Sequence, residues 1–312
     1  MIVLGSSNMD IVLRVPRAPQ AGETVLGSAY ALHPGGKGAN QAVAAQRAGA
    51  SVRFISCLGK DAYGDLLHEK LSQENIDLTA LSRSDTPTGL AFILVEEGGQ
   101  NRITIIPGAN EDLLPELLSS IIFADDILLL QLEIPLETVK AAALKVHAMG
   151  GRVILNASPV REDLAEILAL TDMLLVNEIE AMQLLGLSHP VCPQDAIAVA
   201  EQLASGRQVA VITLGKSGAA WATGQGKAGL LPGFPVAVVD TTGCGDAFAG
   251  AFSASIAAAD PMEYAITYAN AAGALAAMHE GAQAALPLRP AIESFMAQHI
   301  SANSIKMLRD KS

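Results

Sequence analysis

Val236-Ala237-Val238-Val239-Asp240-Thr241-Thr242-Gly243-Cys244-Gly245-Asp246-Ala247-Phe248-Ala249-Gly250 sets the frame for reading this chain. A β-branched run, read as a strand, enters a turn rich in threonine and glycine. A small-residue run compatible with a helix leaves it. Two glycines at the start of that helix let backbone amides approach a ligand closely. Those amides lack intrahelical partners and sit at the positive end of the helix dipole, so they favour phosphate. Asp246 stands in the same first turn, where a resting phosphate would repel it. Its presence is accounted for if it takes a proton from a hydroxyl attacking that phosphate. The plain alternative is an acid placed there by the helix dipole alone.

Outward from this stretch, strands alternate with helices. Residues 127–130, 153–155, 173–176 and 209–213 read as strands, and 136–148, 164–170, 179–185 and 196–203 as helices. That alternation predicts an α/β fold with a doubly wound, mostly parallel sheet flanked by helices. Near the start, 2–4 reads as a buried strand followed by the polar turn Ser6-Ser7-Asn8, and 11–15 as a second strand. Gly35-Gly36-Lys37-Gly38 is a tight turn before a helix at 39–48, with a strand at 52–57 and a helix at 65–72. Residues 90–95 and 102–106 flank Glu96-Glu97-Gly98-Gly99-Gln100 as a β-hairpin. The pieces at about 11–34 and 88–107 stand outside the alternating scheme. They are expected to form a small β lid on one α/β domain spanning 1–312. Residues 247–278, interrupted by Asp260-Pro261 and Glu263, read as two helices and not as a membrane span.

Half of the 312 residues are hydrophobic but only 4% are aromatic, so the core must be Ala, Leu, Ile and Val. A net charge of −12 argues against a nucleic-acid partner and against a basic membrane-binding face. A polyanion such as ATP would be held against that field by helix N-termini, metal ions and a few Lys or Arg. Cys57, Cys192 and Cys244 form no CxxC pair, so neither a disulfide framework nor a zinc site is indicated, and a reducing cytoplasm fits. The first residues carry no basic segment or long apolar run of a secretory signal. His33, His68, His147, His189 and His299 show no metal spacing.

Two look-alike motifs fail. A P-loop at Leu214-Gly215-Lys216-Ser217 needs a glycine where Ala210 stands. One at Gly35-Gly36-Lys37-Gly38 lacks both its upstream glycine, replaced by Ala31, and its Mg²⁺-binding hydroxyl, replaced by Gly38. A dinucleotide fold at Gly243-Cys244-Gly245 needs a third glycine where Phe248 stands, which makes a nicotinamide enzyme a minor alternative.

Several separated motifs occur in order: Gly5-Ser6-Ser7-Asn8-Met9-Asp10, Gly35 through Ala42, Pro107-Gly108-Ala109-Asn110, Gln131-Leu132-Glu133 and Asn177-Glu178-Ile179-Glu180. Ile212-Thr213-Leu214-Gly215, Asp240 through Asp246 and Gly281-Ala282-Gln283 complete the set. Over nearly its whole length the chain resembles the ribokinase-like (PfkB) carbohydrate kinases. The resemblance implies transfer of the γ-phosphoryl group of Mg·ATP to a small sugar, D-ribose at O5 before fructose, 2-keto-3-deoxygluconate or a nucleoside. It implies that Asp246 is the general base and that the Gly243, Cys244 and Gly245 amides form an anion hole. Asn8, Asp10, Gly36, Lys37, Gly38, Asn40 and Glu133 would hold the sugar. Asn177 and Glu180 would organise the Mg²⁺–phosphate end of ATP. Thr213, Gly215, Lys216, Ser217, Gly218 and Gly245 would line the nucleotide, with Asn270 near the adenine. A monovalent cation, K⁺, would take Asp240, Thr242, Ala276, His279 and Gly281. A homodimer paired through the β lid is the implied assembly.

Three departures from the family pattern stand out. Cys244 replaces Ala or Gly, and a thiol at a helix N-terminus can have a lowered pKa. Ala285 replaces a serine that commonly offers its hydroxyl to the cation, and Asn270 replaces a frequent histidine. Simpler readings stand beside the functional ones. Asp10 is also a turn residue by type, Glu133 a solvated strand end, and Lys216 a solvated turn lysine. Asn177 and Glu180 match a helix capping box, which is adequate for that pair taken alone. A sugar sensor that binds without catalysing is the competing class, and the intact Asp246 argues against it.

Overall fold

The structure, a computed structural model, describes residues 1–98, 100–119 and 127–309; Gly99 of the hairpin turn lies outside them. The chain runs through β1 (Ile2–Leu4), β2 (Asn8–Val15), β3 (Ala29–Gly35), α1 (Lys37–Arg47), β4 (Arg53–Gly59), α2 (Ala62–Gln73) and β5 (Leu81–Ser84). The hairpin β6 (Gly89–Glu96) and β7 (Asn101–Ile106) follows. Next come β8 (Ile127–Leu130), α3 (Leu136–Ala148), β9 (Arg152–Asn156), α4 (Ala165–Ala169) and β10 (Met173–Asn177). Then α5 (Glu178–Leu185), α6 (Ala196–Ala204), β11 (Val209–Thr213), β12 (Ala219–Thr223) and β13 (Ala228–Leu231) complete the strands. The helices α7 (Cys244–Ala257), α8 (Met262–Ala276), α9 (Arg289–His299) and α10 (Ala302–Arg309) end the described chain.

A large sheet has the order β13-β12-β11-β10-β9-β8-β1-β4-β5, parallel from β11 to β5 with an antiparallel edge at β12 and β13. Both faces are covered, so its central strands are almost continuously apolar and successive residues serve opposite cores. Val3, Phe54, Leu129, Ile154, Leu175 and Val211 join one core with α1, α7, α8 and α9. Ile2, Leu4, Leu128, Leu130, Val153 and Leu174 join the other with α3 and α6. The chain turns to opposite sides of β1, toward β4 on one flank and β8 on the other, which makes the carboxyl ends of β1 and β8 the switch point where such sheets bind ligands.

A second, four-stranded sheet has the order β3-β2-β6-β7; β2 and β6 pair in parallel and the outer pairs are antiparallel. No helix among the described residues is long and apolar enough to cross a membrane.

One expectation fails. Residues 236–239 form no ladder strand. Val238 and Val239 are exposed, and the amides of Val239 and Asp240 donate to the Ala277 carbonyl at 2.8 and 3.3 Å. The β-branched run is an extended strap over the end of α8, so a propensity that reports fit to a pleated surface found no surface to join. The edge hairpin β12–β13 was not foreseen, because Ala219-Ala220-Trp221-Ala222 and Ala228-Gly229 carry little strand preference.

Candidate active site

Two helices crossing at small residues set the centre of the site. α7 begins after Gly243, whose φ of 76° is a conformation open to glycine. Asp246 and Gly250 lie one turn apart on one face of α7, and Asn40 and Gln41 lie one turn before Ala44 and Ala45 on α1. A Cβ on Gly250 would stand 2.7 Å from the Ala45 amide nitrogen, so glycine is what lets the helices meet. The same crossing brings Asp246 against α1. Asn40 Nδ2 donates to Asp246 Oδ2 at 2.9 Å, and Gln41 Nε2 donates to Asp246 Oδ1 at 2.9 Å.

Asp246 opens onto a cavity of about 250 Å³. Of the residues nominated from the sequence, Lys37, Asn177, Glu180, Thr213, Gly243, Gly245 and Asp246 line it. Asn156, Ser158, Leu175, Val176, Thr241, Phe248 and Ala249 complete the wall. Most of these strand-borne residues sit at the carboxyl ends of β9, β10 and β11. At the mouth, the Cys244 amide donates to the Thr241 carbonyl at 3.3 Å, whereas no described protein group accepts from the amides of Gly243 and Gly245.

Beside Asp246 stands an acidic group. Glu133 follows β8 and accepts from Ser6 Oγ at 2.6 Å and from the Lys37 amide at 3.0 Å. Asp10 is 9% exposed and lies against the Cα of Gly35, where any Cβ would overlap its carboxylate. Burial, then the charges of Glu133 and Asp246, push the Asp10 carboxyl up to about 7. Burial pulls the Lys37 ammonium down, but Asp246, Glu133 and Glu180 outweigh it, so Lys37 is raised and stays charged. Asn8 Oδ1 accepts from Asn110 Nδ2 at 2.7 Å. Asn40 Oδ1 is buried and has no partner, leaving an acceptor free beside Asp246. Gly36 and Gly38 are buried, and the Gly38 amide donates to Ser6 Oγ at 3.3 Å.

The residues nominated for the nucleotide separate into two groups. Asn177 and Glu180 form a capping box on α5: Asn177 Oδ1 accepts from the Ile179 and Glu180 amides, and Glu180 Oε2 accepts from the Asn177 amide at 2.9 Å. The structural reading of that pair therefore holds, and both residues also face the cavity. Gly215, Lys216 and Ser217 form a 3₁₀ turn after β11 that ends at Gly218, and none of the four lines the cavity. Asn270, buried in α8, donates to the Leu231 and Pro232 carbonyls at 3.4 and 3.3 Å and also stands outside the lining.

The loop nominated for a cation is tightly bonded. Asp240 Oδ1 accepts from the Thr242 amide and hydroxyl at 2.9 and 2.8 Å, and Oδ2 from the Gly281 amide at 3.0 Å. Burial raises the Asp240 carboxyl, but those bonds outweigh it and the net shift is downward. The Ala276 carbonyl accepts from the His279 amide at 3.1 Å. Among the described residues no group of three or more His, Cys, Asp or Glu is placed to hold a metal ion. The Cys244 thiol is not acidic: burial, then the charges of Asp240 and Asp246, push it up to about 11.

Gln41, Gln131, Asn156 and Asn110 were given no role by sequence reasoning. Gln131 Nε2 donates to Gln41 Oε1 at 2.7 Å, and Asn110 ties Ser7 and Asn8 together. Gln41, Asn110 and Gln131 stand inside motifs that carry the resemblance, whereas Asn156 is an uncharged amide ending an apolar run, which also marks an ordinary satisfied core position.

A sheet that presents its carboxyl ends to a cavity, helix-start amides without protein acceptors and a carboxylate among polar side chains suit a phosphotransferase with an alcohol group as acceptor. Residues 1–289 match the family described as pfkB family carbohydrate kinase, and the chain belongs to that family. It is 38% identical over 301 residues to a ribokinase of Haemophilus influenzae, covering 95% of this chain and 98% of that one. The crystal structure of ribokinase from Thermotoga maritima aligns with a TM-score of 0.86 at 37% identity, covering 95% of this chain and 98% of that chain. Arabidopsis thaliana ribokinase complexed with ribose and ATP aligns with a TM-score of 0.84 at 30% identity, covering 95% and 97%.

Proposed function

We propose that the protein phosphorylates D-ribose at O5 with Mg·ATP, giving ribose 5-phosphate and ADP. The observation that carries this reading is the Asp246 carboxylate, held by Asn40 and Gln41 at a cavity under amides that lack acceptors. Similarity to ribokinases, one of them complexed with ribose and ATP, supports the choice of sugar.

In this reading the O5 hydroxyl attacks the γ-phosphorus in line. The O5–P bond forms, and the bond from the γ-phosphorus to the bridging oxygen breaks with its electron pair leaving on ADP. The O5 proton passes to Asp246. The Gly243 and Gly245 amides, with Cys244 between them, receive the charge on the transferring group; donors of this kind contribute on the order of 10²–10³ in rate each. Asn40 Oδ1, Asp10, Glu133 and the Asn8 amide hold the polyol, each fixing hydroxyls that a poorer substrate lacks. Gly36 and Gly38 keep the backbone low beside it. Lys37, faced by Asp246, Glu133 and Glu180, supplies the positive charge between sugar and phosphates. Asn177 and Glu180, which line the cavity, would organise the Mg²⁺–phosphate end of ATP, where the metal would neutralise phosphate charge. Thr213 and the turn Gly215–Ser217 with Gly218 flank the nucleotide, and Asn270 braces the backbone there.

Asp240, Thr242, Ala276, His279 and Gly281 would offer oxygens, mostly as backbone carbonyls, the chemistry a hard monovalent cation such as K⁺ takes. The second sheet acts as a lid over the sugar and excludes water. Its edge strands β3 and β7 leave Tyr30, Leu32, Ile103, Ile105 and Ile106 exposed, and a second copy of the lid would cover them in a homodimer. The whole chain then works as one catalytic domain with its lid, in the reducing cytoplasm that suits its unpaired Cys57, Cys192 and Cys244.

The test is ADP formation by the purified protein with ribose, fructose, 2-keto-3-deoxygluconate and a nucleoside, with and without K⁺. Ribose should give the highest kcat/KM, with ribose 5-phosphate as product and a higher rate in K⁺. A higher kcat/KM for another acceptor, or sugar binding with no ADP formed, contradicts the reading.

A further inference from the structure

Behind Asp246 stands a line of buried amides that proton transfer, as described, does not use. Gln41 and Gln131 are both 0% exposed. Gln41 Nε2 donates to Asp246 Oδ1 and to Asn156 Oδ1, each at 2.9 Å, and Gln41 Oε1 accepts from Gln131 Nε2 at 2.7 Å. The direction of this line is forced. A carboxylate only accepts, so Gln41 must turn its NH₂ toward Asp246. Gln41 Oε1 then needs a donor, so Gln131 must turn its own NH₂ inward. The line ends at Gln131 Oε1, which is buried with no partner.

An unpaired buried acceptor is costly. The fold also reserves space for this amide. A Cβ on Gly5, just past β1, would overlap Gln131 Oε1. Gln131 follows β8, so the two residues meet at the switch point of the sheet. An arrangement that keeps an unsatisfied oxygen and a glycine to seat it is explained by what lies at its other end. Asp246 Oδ1 and Oδ2 each receive one bond, from Gln41 and from Asn40, and rotation of the carboxylate would break both.

We propose that Gln41 is a positioning residue for Asp246, aiming the carboxylate that takes the sugar proton, and that Gln131 sets the direction of the Gln41 amide. The proposal rests on the reading of Asp246 as the general base. Loss of the Gln41 bond leaves the carboxylate free to rotate and lowers the fraction of bound complexes in reactive geometry. Ground-state binding of sugar and nucleotide is left nearly unchanged.

Gln41→Leu and Gln131→Met, each made in the natural chain and in an Asp246→Asn background, test this. Gln41→Leu should lower kcat about 10- to 100-fold, the worth of a hydrogen bond to a charged group, with KM for ribose and ATP within about 3-fold. Gln131→Met should lower kcat several-fold in the same pattern. Both losses should vanish in the Asp246→Asn background, because a group acting only through Asp246 has nothing left to position. A purely structural role would cost the same factor in both backgrounds and overturn the proposal. So would a Gln41→Leu enzyme with kcat within about twofold of the natural one, against an expected loss of at least tenfold. Thermal melts monitor folding, and Gln131→Met carries the cycle if Gln41→Leu does not fold. Natural turnover in Asp246→Asn alone would overturn the base assignment itself, and this inference with it.

Discussion

A Cβ placed on Gly250 of α7 would overlap the Cβ of Ala44 on α1. The contact lies one turn from the place where Asn40 and Gln41 hold Asp246, so helix packing and placement of the base share one crossing. Gly250→Ala should destabilise the protein by ~1–3 kcal/mol, the usual range for overpacking, and lower kcat as α7 shifts. Adding Ala44→Gly should restore only part of the loss, because the Ala45 amide nitrogen still stands 2.7 Å from the new carbon. Denaturant unfolding and steady-state kinetics check this. A Gly250→Ala enzyme as stable and active as the natural one would separate the crossing from the site.

Asp10 should set the pH response of sugar binding. Burial, Glu133 and Asp246 push its carboxyl up to about 7, and the ionised form is the one that accepts from sugar hydroxyls. KM for ribose should therefore fall as pH rises through about 7, while KM for ATP stays flat. Stability runs the other way. The folded chain holds the Asp10 proton more tightly than the unfolded chain, whose value is near 3.8. The Asp10 contribution to stability is full below that value and is lost as pH rises through about 7. Asp10→Asn should thus be more stable than the natural protein at pH 8, on the order of 1–3 kcal/mol, with the gain shrinking toward acid pH and ribose affinity lost throughout. A gain that does not vary between pH 5 and 8 would contradict the shift.

How much of this was legible in the sequence depends on what each residue's signal reports. The alternation of apolar runs and helices gave the parallel sheet, because strands buried on both faces need continuous apolar residues, as at Leu128–Leu130 and Leu174–Val176. Asn177 and Glu180 were legible as a capping box, since that motif is closed within four residues. Asp246 stood out because an acid beside an anion-binding turn needs a reason. Val236–Val239 misled because β-branching reports a fit to a sheet without supplying one. Gln41 and Gln131 were not legible as a pair. They are 90 residues apart, and only the sheet order that puts β8 beside β1 joins them. The reactivity of Cys244 was not legible, because it depends on burial and on the charges of Asp240 and Asp246 around the thiol.

Cys244 should be a slow nucleophile. With its thiol pushed up to about 11, little thiolate exists at neutral pH. Alkylation by iodoacetamide should accelerate steadily from pH 7 to 10 with no plateau, and bound ATP should slow it. Cys244→Ala should keep turnover within about threefold, because the amides and not the thiol face the anion. A plateau in alkylation near pH 7 would mean a stabilised thiolate and would overturn the assignment.

Turnover of Asp246→Asn in a ribose-dependent ADP-release assay, read beside ATP affinity by calorimetry, bears most directly on Asp246 as the base. The substitution keeps shape and bulk and removes the negative charge together with the capacity to take a proton. Turnover should fall by at least ~10²-fold while ATP binds about as tightly as before. Turnover within a few-fold of the natural enzyme would show that the proton goes elsewhere.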